Sequence, residues 1–528
     1  VLFNSYEFLL GFLPGVLLLV LGASALGRHA LAKLLLLGAS LVFYAWWNPP
    51  YVVLLLAFLL FNFWVGSWLI RTAGQAAPER RRTGVLVLGL CANIAALVYF
   101  KYTQFLAGEI GDLLGIDLAV SRIVLPLGIS FIVFQKIAFL VDAHGGQIKQ
   151  LRFLDYALFV SFFPQLISGP IVHHREMIPQ FESDHGLRYV RRIVPIAISF
   201  VVMGAFKKVV IADHLASHVA IAFQSTAAGQ THDMFSAWLA AVSFALQIYF
   251  DFSGYSDMAI GLGLLFGIRL PCNFNSPLKA SSIIDFWSRW HMTLTRFLTA
   301  YIYNPIVMRA TRRRVAAGKK VAIRGVLRPG AFVSLLLLPT LFTMFIAGAW
   351  HGAGFQFIVF GLIHGTYLSI NHAWRNLRRA ARRPARRTRR GVVLARALTF
   401  LAFVVSIPFF RADSVHSAWS FVASMLGAHG ALRASSLVDL PFLGLVGLVL
   451  VASQVLPNTQ EVMHEQLEAA VSPLARHAGH TQPTDPDTWS WPRLVWRPTV
   501  FHALAIGLLG WIVMLSLAGP SAFLYFQF

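Results

Sequence analysis

The chain has 528 residues, of which 57% are hydrophobic, 13% aromatic and only 12% charged. Soluble globular domains carry about 25% charged residues, so a water-soluble fold is excluded and the expected class is an all-α polytopic membrane protein. The net charge of +22 lies in short Lys/Arg blocks between apolar runs, as cytoplasmic membrane loops require, and so reports topology rather than a nucleic-acid partner.

The first apolar run, Tyr6 to Leu26, has Glu7 and no Lys or Arg before it, while Arg28 and Lys33 follow it. That order is the reverse of a secretory leader, so the run is expected to stay in the mature protein with its N-terminus outside. Leu34 to Trp47 and Tyr51 to Ile70 are divided at Asn48-Pro49-Pro50, where proline precludes one continuous helix. Four arginines in Arg71 to Arg82 place the next loop inside. Gly84 to Leu106 then crosses outward, Ile123 to Val141 returns, Asp155 to Gly169 is apolar, and Ile193 to Phe206 is a span ending at Lys207-Lys208.

Trp238 to Ile268 is too long for one straight span. Gly254, Gly261, Gly263 and Gly267 interrupt it, and it contains Asp251 and Asp257. A broken helix lining a polar interior is the expectation, with Asp251 and Tyr255 one turn apart as pocket residues. Two carboxylates satisfying backbone N–H groups at a helix break are the competing account. Ser281 to Tyr303 reads as one amphipathic interfacial helix, opened by Ser282 with Asp285 three residues on. Trp287, Trp290, Leu294, Phe297 and Tyr301 recur at helical spacing, and His291 falls at the edge of that apolar face.

Arg309 to Arg328 is a basic loop. Beyond it, Gly348-Ala349-Trp350-His351-Gly352-Ala353-Gly354 lies between the apolar runs Ala331 to Ile346 and Gln356 to Ile370. Both outer flanks are strongly basic and hence cytoplasmic, so His351 is expected at the outer end of a hairpin or in a cavity open to the outside. An ionisable group at membrane depth marks a functional site by default. A turn in which the imidazole only bonds a neighbouring carbonyl is the bland alternative.

Arg375, Arg379, Arg382, Arg383, Arg386 and Arg390, within Arg375 to Arg396, share one helical face, bent at Pro384. Anionic inner-leaflet lipid is their expected partner; the segment lacks the interleaved aromatics that nucleic acid would need. Val393 to Phe410, Val438 to Leu456 and Thr499 to Leu517 are further spans. Pro457 to Pro498 is the one sizeable polar stretch, with a turn-rich part at Thr481 to Pro486. Cys91 and Cys272 offer no disulfide or zinc framework. The doublet His173-His174 reads as a loop, because adjacent residues do not share a helix face and no carboxylate stands at i,i+4. No metal site is expected. The chain is expected to be a single transmembrane domain over 1–528: N-terminal spans 1–122, core spans 123–373, a basic segment 374–397, and C-terminal spans 398–528 with the polar loop 457–498.

Several motifs together resemble the membrane-bound O-acyltransferase (MBOAT) family, in the bacterial branch that includes the alginate O-acetyltransferase membrane subunit and cellulose-acetylation proteins. They are Phe43-Tyr-Ala-Trp-Trp47, Lys101-Tyr-Thr-Gln-Phe105, Leu125-Pro-Leu-Gly-Ile-Ser-Phe131, Ser168-Gly-Pro170, Phe206-Lys-Lys-Val-Val-Ile-Ala-Asp213, Tyr249-Phe-Asp-Phe-Ser-Gly-Tyr-Ser-Asp-Met-Ala-Ile-Gly261, Phe286-Trp-Ser-Arg-Trp-His291, Ala349-Trp-His-Gly352, Phe410-Arg-Ala412, Leu456-Pro-Asn-Thr-Gln-Glu461 and Phe523-Leu-Tyr-Phe-Gln-Phe528. The resemblance implies a horseshoe of roughly 11–14 transmembrane or re-entrant helices with amphipathic interfacial helices around a thin centre. It implies an O-acyltransferase with His351 as the essential histidine and His291 as the second. Asp251, Tyr255, Asp257, Trp350, Trp290 and Arg289 are the substrate-binding candidates.

On this resemblance the donor is cytoplasmic acetyl-CoA, a substrate rather than a bound cofactor. The acceptor is an exoplasmic polysaccharide hydroxyl, reached directly or through an exoplasmic acetyltransferase subunit, at a bacterial inner membrane. Transfer of D-alanyl or longer acyl groups stays open. So does a carrier or flippase of a lipid-linked or acylated intermediate, although no repeated halves support it. One departure is Asn304-Pro305-Ile306-Val307-Met308-Arg309 after Tyr301-Ile302-Tyr303, where many relatives have a Gly-Gly-Asn-Arg run; the polymer is left unnamed.

Overall fold

In a hydrocarbon core each backbone polar group has to be satisfied within its own segment, which favours the α-helix. The structure, a computed structural model, describes residues 3–73, 78–118, 120–182, 190–323, 325–381, 388–431, 440–471, 494–517 and 523–524. Among these the regular elements are helical except for one small hairpin, Ala322–Ile323 paired antiparallel with Val326–Leu327. Eight helices are long and apolar enough to cross a membrane: Glu7–Ala25, Pro50–Thr72, Glu79–Leu114, Ile193–Ala227, Met234–Leu265, Pro329–His351, Arg389–Arg411 and Leu440–Glu468. His29–Ala45 and Val500–Ser516 are shorter apolar helices. The chain is an all-α polytopic membrane protein.

Several boundaries differ from the expectations, each for a local reason. Ile123 to Val141 is helical only from Ile129, because Pro126 and the left-handed Gly128 (φ 71°) precede the helix Ile129–His144. Asp155 to Gly169 is divided into Phe153–Ser161 and Phe163–Leu166, with Pro164 at the start of the second piece. Lys207 and Lys208 do not end a span; they lie inside the continuous run Ile193–Ala227. The segment expected as a basic loop begins as the helix Asn304–Ala316. His173-His174 is not wholly loop either, since His174 opens the helix His174–Glu182. Arg382, Arg383, Arg386 and Pro384 of the basic face, and the turn-rich part Thr481 to Pro486, lie outside the described residues.

Contacts divide the chain into two units. The first comprises Val1–Val210, Phe252–Cys272 and Pro457–Gln527. Its Phe252–Cys272 part holds the C-terminal portion of Met234–Leu265, in which the expected helix break is absent: this is one unbroken helix of 32 residues, about 48 Å long. Its glycines serve close approach instead. A Cβ on Gly254 would stand 2.6 Å from the Gly204 carbonyl oxygen and 3.0 Å from the backbone nitrogen of Lys208. Helices in lipid pack backbone to backbone through such small residues.

The second unit comprises Ile211–Asp251 and Asn273–Leu456. Its centre is a helical hairpin, Leu338–His351 and Phe355–Ala380, joined by Gly352-Ala353-Gly354. Gly348 and Gly361 face each other across it; a Cβ on the first would strike the Phe357 carbonyl, and one on the second the Met344 carbonyl. The partner helix therefore comes close enough to bury the last turn of Leu338–His351, including Trp350 and His351. Gln356 donates to the Asp413 carbonyl (3.1 Å), tying the start of the returning helix to the turn before Val415–Met425.

Candidate active site

His351 is the last residue of its helix, and its ring is packed among aromatics: Trp350 at 5.0 Å between centroids, Phe410 at 5.0 Å and Phe360 at 6.3 Å, all edge-on. Trp350 in turn lies 5.9 Å from the ring of His291. The two motif histidines, 60 positions apart in sequence (351 − 291), thus both pack against one indole within the second unit.

His291 does not lie on the amphipathic helix expected over Ser281 to Tyr303. That segment is two helices, Ile283–Arg289 and Met292–Leu298, and His291 is the left-handed residue between them (φ 43°, ψ 52°). A side-chain-bearing residue in that region costs on the order of 1 kcal/mol and persists only where its surroundings demand it. The demand comes from Asn273. Its carbonyl accepts from Met292 N–H (2.9 Å), and its Oδ1 accepts from Thr293 N–H (3.3 Å) and the Thr293 hydroxyl (2.9 Å). The same Oδ1 stands 3.0 Å from His291 Nδ1. A backbone N–H can only donate, so that Asn273 atom is the amide oxygen, and Nδ1 must carry a proton. The ring is completely buried rather than at the edge of an interfacial face.

His291 lies outside the eight apolar helices, and burial pushes its imidazole down to about 3. At neutral pH it is uncharged, with its lone pair on Nε2. Such a nitrogen accepts a hydrogen bond; it is unsuited to donating one to an oxyanion.

The other predicted residues divide into two groups. Trp290 is buried in an aromatic cage, stacked on Phe286 (5.5 Å, 14°) and set edge-on to Phe274 (5.1 Å). Arg289 is committed to structure: its Nε donates to Asp285 (2.6 Å) one helical turn back, and its guanidinium reaches the Asn275 carbonyl at 3.5 Å. Asp251 is buried on Met234–Leu265.

Tyr255 and Asp257 belong to the first unit. Tyr255 packs its ring on Phe3 (4.9 Å) and Phe523 (4.6 Å) and bonds the backbone of Ser168. Asp257 pairs with Lys207 (2.7 Å) and accepts from Gln460 (3.1 Å). It neutralises a half-buried cation, as a carboxylate at this depth must be paired, which is a structural role rather than a substrate contact.

Two residues went unpredicted. Asn273, which sets the His291 geometry, has no periodicity or spacing signal. His364 had one, being ionisable within an apolar run like His351. Trp287 Nε1 donates to its Nδ1 (3.2 Å), and its Nε2–H donates to the Ser406 hydroxyl (2.9 Å), which donates on to the Phe403 carbonyl (2.7 Å). Both ring nitrogens are satisfied, so His364 pins three helices together.

A recess of about 550 Å³ is lined by Arg314, Lys319, Lys320 and Arg328 beside Gly330. Arg328 follows the strand Val326–Leu327, whose Leu327 is held at both backbone groups by Asn376 on the returning hairpin helix (2.9 and 3.1 Å). Elsewhere, in the first unit, Asp142 is brought against His173 and His174.

Comparison with known proteins decides the family. Residues 82–321 match the MBOAT, membrane-bound O-acyltransferase, family, a stretch that holds His291 and ends before His351. A peptidoglycan O-acetyltransferase of Helicobacter pylori is 38% identical over 456 residues, 81% of this chain and 80% of that protein. The chain belongs to the membrane-bound O-acyltransferase family. A probable alginate O-acetylase AlgI of Pseudomonas putida is 32% identical to this MBOAT protein over the whole of both chains. A teichoic acid D-alanyltransferase of Bacillus subtilis is 27% identical over 46% of this chain and 58% of its own. The MBOAT chain is therefore an acyltransferase, and the carrier reading falls away.

Proposed function

We propose that this MBOAT protein transfers an acetyl group from cytoplasmic acetyl-CoA to an exoplasmic hydroxyl, in a bacterial inner membrane. The acceptor is a cell-surface polysaccharide, or an exoplasmic acetyltransferase subunit that relays the group to one. The observation that carries this reading is the packing of His291 and His351 against the same Trp350 ring. It brings two imidazoles against one indole, the composition a proton-transfer site between donor and acceptor needs.

His351 takes the proton of the acceptor hydroxyl as its oxygen attacks the thioester carbonyl. The C–O bond forms, the C–S bond breaks, and the proton returns from the imidazolium to the departing thiolate. A positioned base of this kind contributes about 10²–10⁴-fold. His291, locked with its lone pair on Nε2, orients a donor N–H or the acceptor O–H rather than stabilising the oxyanion.

The basic recess supports a phosphate-bearing donor. Arg314, Lys319, Lys320 and Arg328 offer the cations that the phosphates of coenzyme A require, on a segment whose charge marks it as cytoplasmic. About 32 Å of helix separates Asn376 beside this recess from Phe355 near His351, so the donor has to bind extended. Arg375 and its neighbours rest on anionic lipid.

Purified protein in lipid nanodiscs, supplied with acyl-CoAs of graded chain length and a hydroxyl acceptor, tests the reading through acceptor-dependent thiol release. Acetyl-CoA turning over faster than longer thioesters supports it. No turnover with any acyl-CoA, but transfer from a D-alanyl thioester carrier, overturns the choice of donor.

A further inference from the structure

Adjacent residues do not share a helix face, but His173 and His174 are not both helical. His174 is the first residue of His174–Glu182. His173 precedes it as the cap: its carbonyl accepts from Glu176 and Met177 N–H (2.9 and 3.2 Å), and its own N–H donates to the Glu176 carboxylate (3.1 Å). The helix boundary falls between the two imidazoles, so the 100° step that would separate them does not apply. Both turn toward Asp142, in the last turn of Ile129–His144.

The spacing of the three side chains is that of ligands around a common centre. Nδ1 of His173 and Nδ1 of His174 stand 3.5 and 3.4 Å from the same Asp142 oxygen. One donor atom from each of the three residues lies within 4.8 Å of the others. Ligands bound tetrahedrally at about 2.0–2.1 Å are separated by about 3.3–3.4 Å, close to the two measured edges. His174 is only 6% exposed, and neither of its ring nitrogens makes a hydrogen bond. A buried imidazole whose nitrogens make no hydrogen bond is costly unless something else satisfies it.

We propose that Asp142, His173 and His174 bind a divalent first-row transition-metal ion, with Zn²⁺ the best-fitting probe. Two imidazoles and one carboxylate are a borderline N/O set that suits zinc or cobalt over calcium or magnesium, which take all-oxygen shells. Three protein ligands leave one tetrahedral position for water, on the His173 side, where that side chain is 19% exposed. The ion clips the end of Ile129–His144 to the start of His174–Glu182, a join that otherwise has no hydrogen bond from His174. The three ligands belong to the first unit, His291 and His351 to the second, and the test of the ion does not depend on the acyl donor or acceptor.

The full-length protein, purified with a histidine-free tag, is stripped with chelator, reloaded with Zn²⁺ or Co²⁺ and desalted. Wild type is expected to retain about one ion per chain, and Co²⁺ to give the intense visible bands of a four-coordinate site. His174→Ala is expected to lose the ion. If it does not remain monodisperse, His173→Gln, at the more exposed ligand, is expected to weaken binding at least tenfold. Wild type retaining no stoichiometric ion, or a folded His174→Ala protein retaining the full equivalent, overturns the proposal.

Discussion

Asn273 Oδ1 and His291 Nδ1 lie 3.0 Å apart, and this contact fixes which nitrogen of the imidazole carries the proton. Because Thr293 N–H occupies the same oxygen, the amide cannot flip to offer its NH₂. Asn273→Leu removes both the acceptor and the brace on the left-handed backbone. It is expected to lower kcat by about 10–100-fold, as loss of an orienting partner typically does, with KM for the donor nearly unchanged. Asn273→Asp, which keeps the acceptor, is expected to recover part of the loss. Steady-state kinetics of the two variants separate positioning from general destabilisation.

The buried His291 also predicts how stability depends on pH. Its folded value of about 3 lies below the ordinary 6.5. The unfolded chain therefore binds the extra proton first, and the contribution is complete above about pH 6.5 and is lost progressively as pH falls toward 3. Thermal unfolding in detergent is expected to show a Tm that drops across that window, with a shallower drop in His291→Gln. Equal slopes in the two proteins contradict the assignment.

Asp257 neutralises Lys207 at 2.7 Å in a largely buried setting. Asp257→Asn leaves a cation without its counter-ion and is expected to cost about 3–5 kcal/mol. Asp257→Leu combined with Lys207→Met removes both charges and is expected to regain most of that loss. Thermal denaturation of the single and double variants measures it, while activity per folded molecule stays near wild type.

How much of this was legible in the sequence follows from the range over which each feature is decided. The break at Asn48-Pro49-Pro50 and the hairpin around His351 depend on composition and on proline, both local, and they appear where the chain predicts them, whereas several span boundaries move where Pro126, Gly128 and Pro164 intervene. The histidine motifs were legible through family resemblance. The left-handed turn at His291 was not, because Asn273, eighteen positions earlier, imposes it. The unbroken helix Met234–Leu265 was misread for a similar reason: Gly254 is there to admit the Gly204 backbone, and a glycine needed for contact looks in sequence like a glycine that breaks a helix. Asp142 meets His173 and His174 only through tertiary packing, so an i,i+4 search could not find it.

Gly254→Ala tests the packing account. Its new Cβ meets backbone at 2.6 Å, and overpacking of that kind is expected to cost about 1–3 kcal/mol. Gly22→Ala, with nothing within 4 Å of the added carbon, is the control and is expected to leave thermal stability unchanged or slightly raised.

The basic recess gives a kinetic prediction. Arg328→Ala and Lys320→Ala are expected to raise KM for acetyl-CoA about 5–10-fold each, as loss of a charge-assisted phosphate contact does, with kcat little affected. The effect should shrink with dephospho-CoA thioesters and with added salt. An unchanged KM in both variants removes the recess from the donor path.

Transfer by His351→Ala is the most direct measurement of the account as a whole. The variant is assayed in nanodiscs for acetyl transfer to a hydroxyl acceptor, with its fold checked by monodispersity and Tm. The account predicts a loss of about 10²–10⁴-fold in kcat with acetyl-CoA binding retained. A well-folded His351→Ala protein that transfers at the wild-type rate contradicts it.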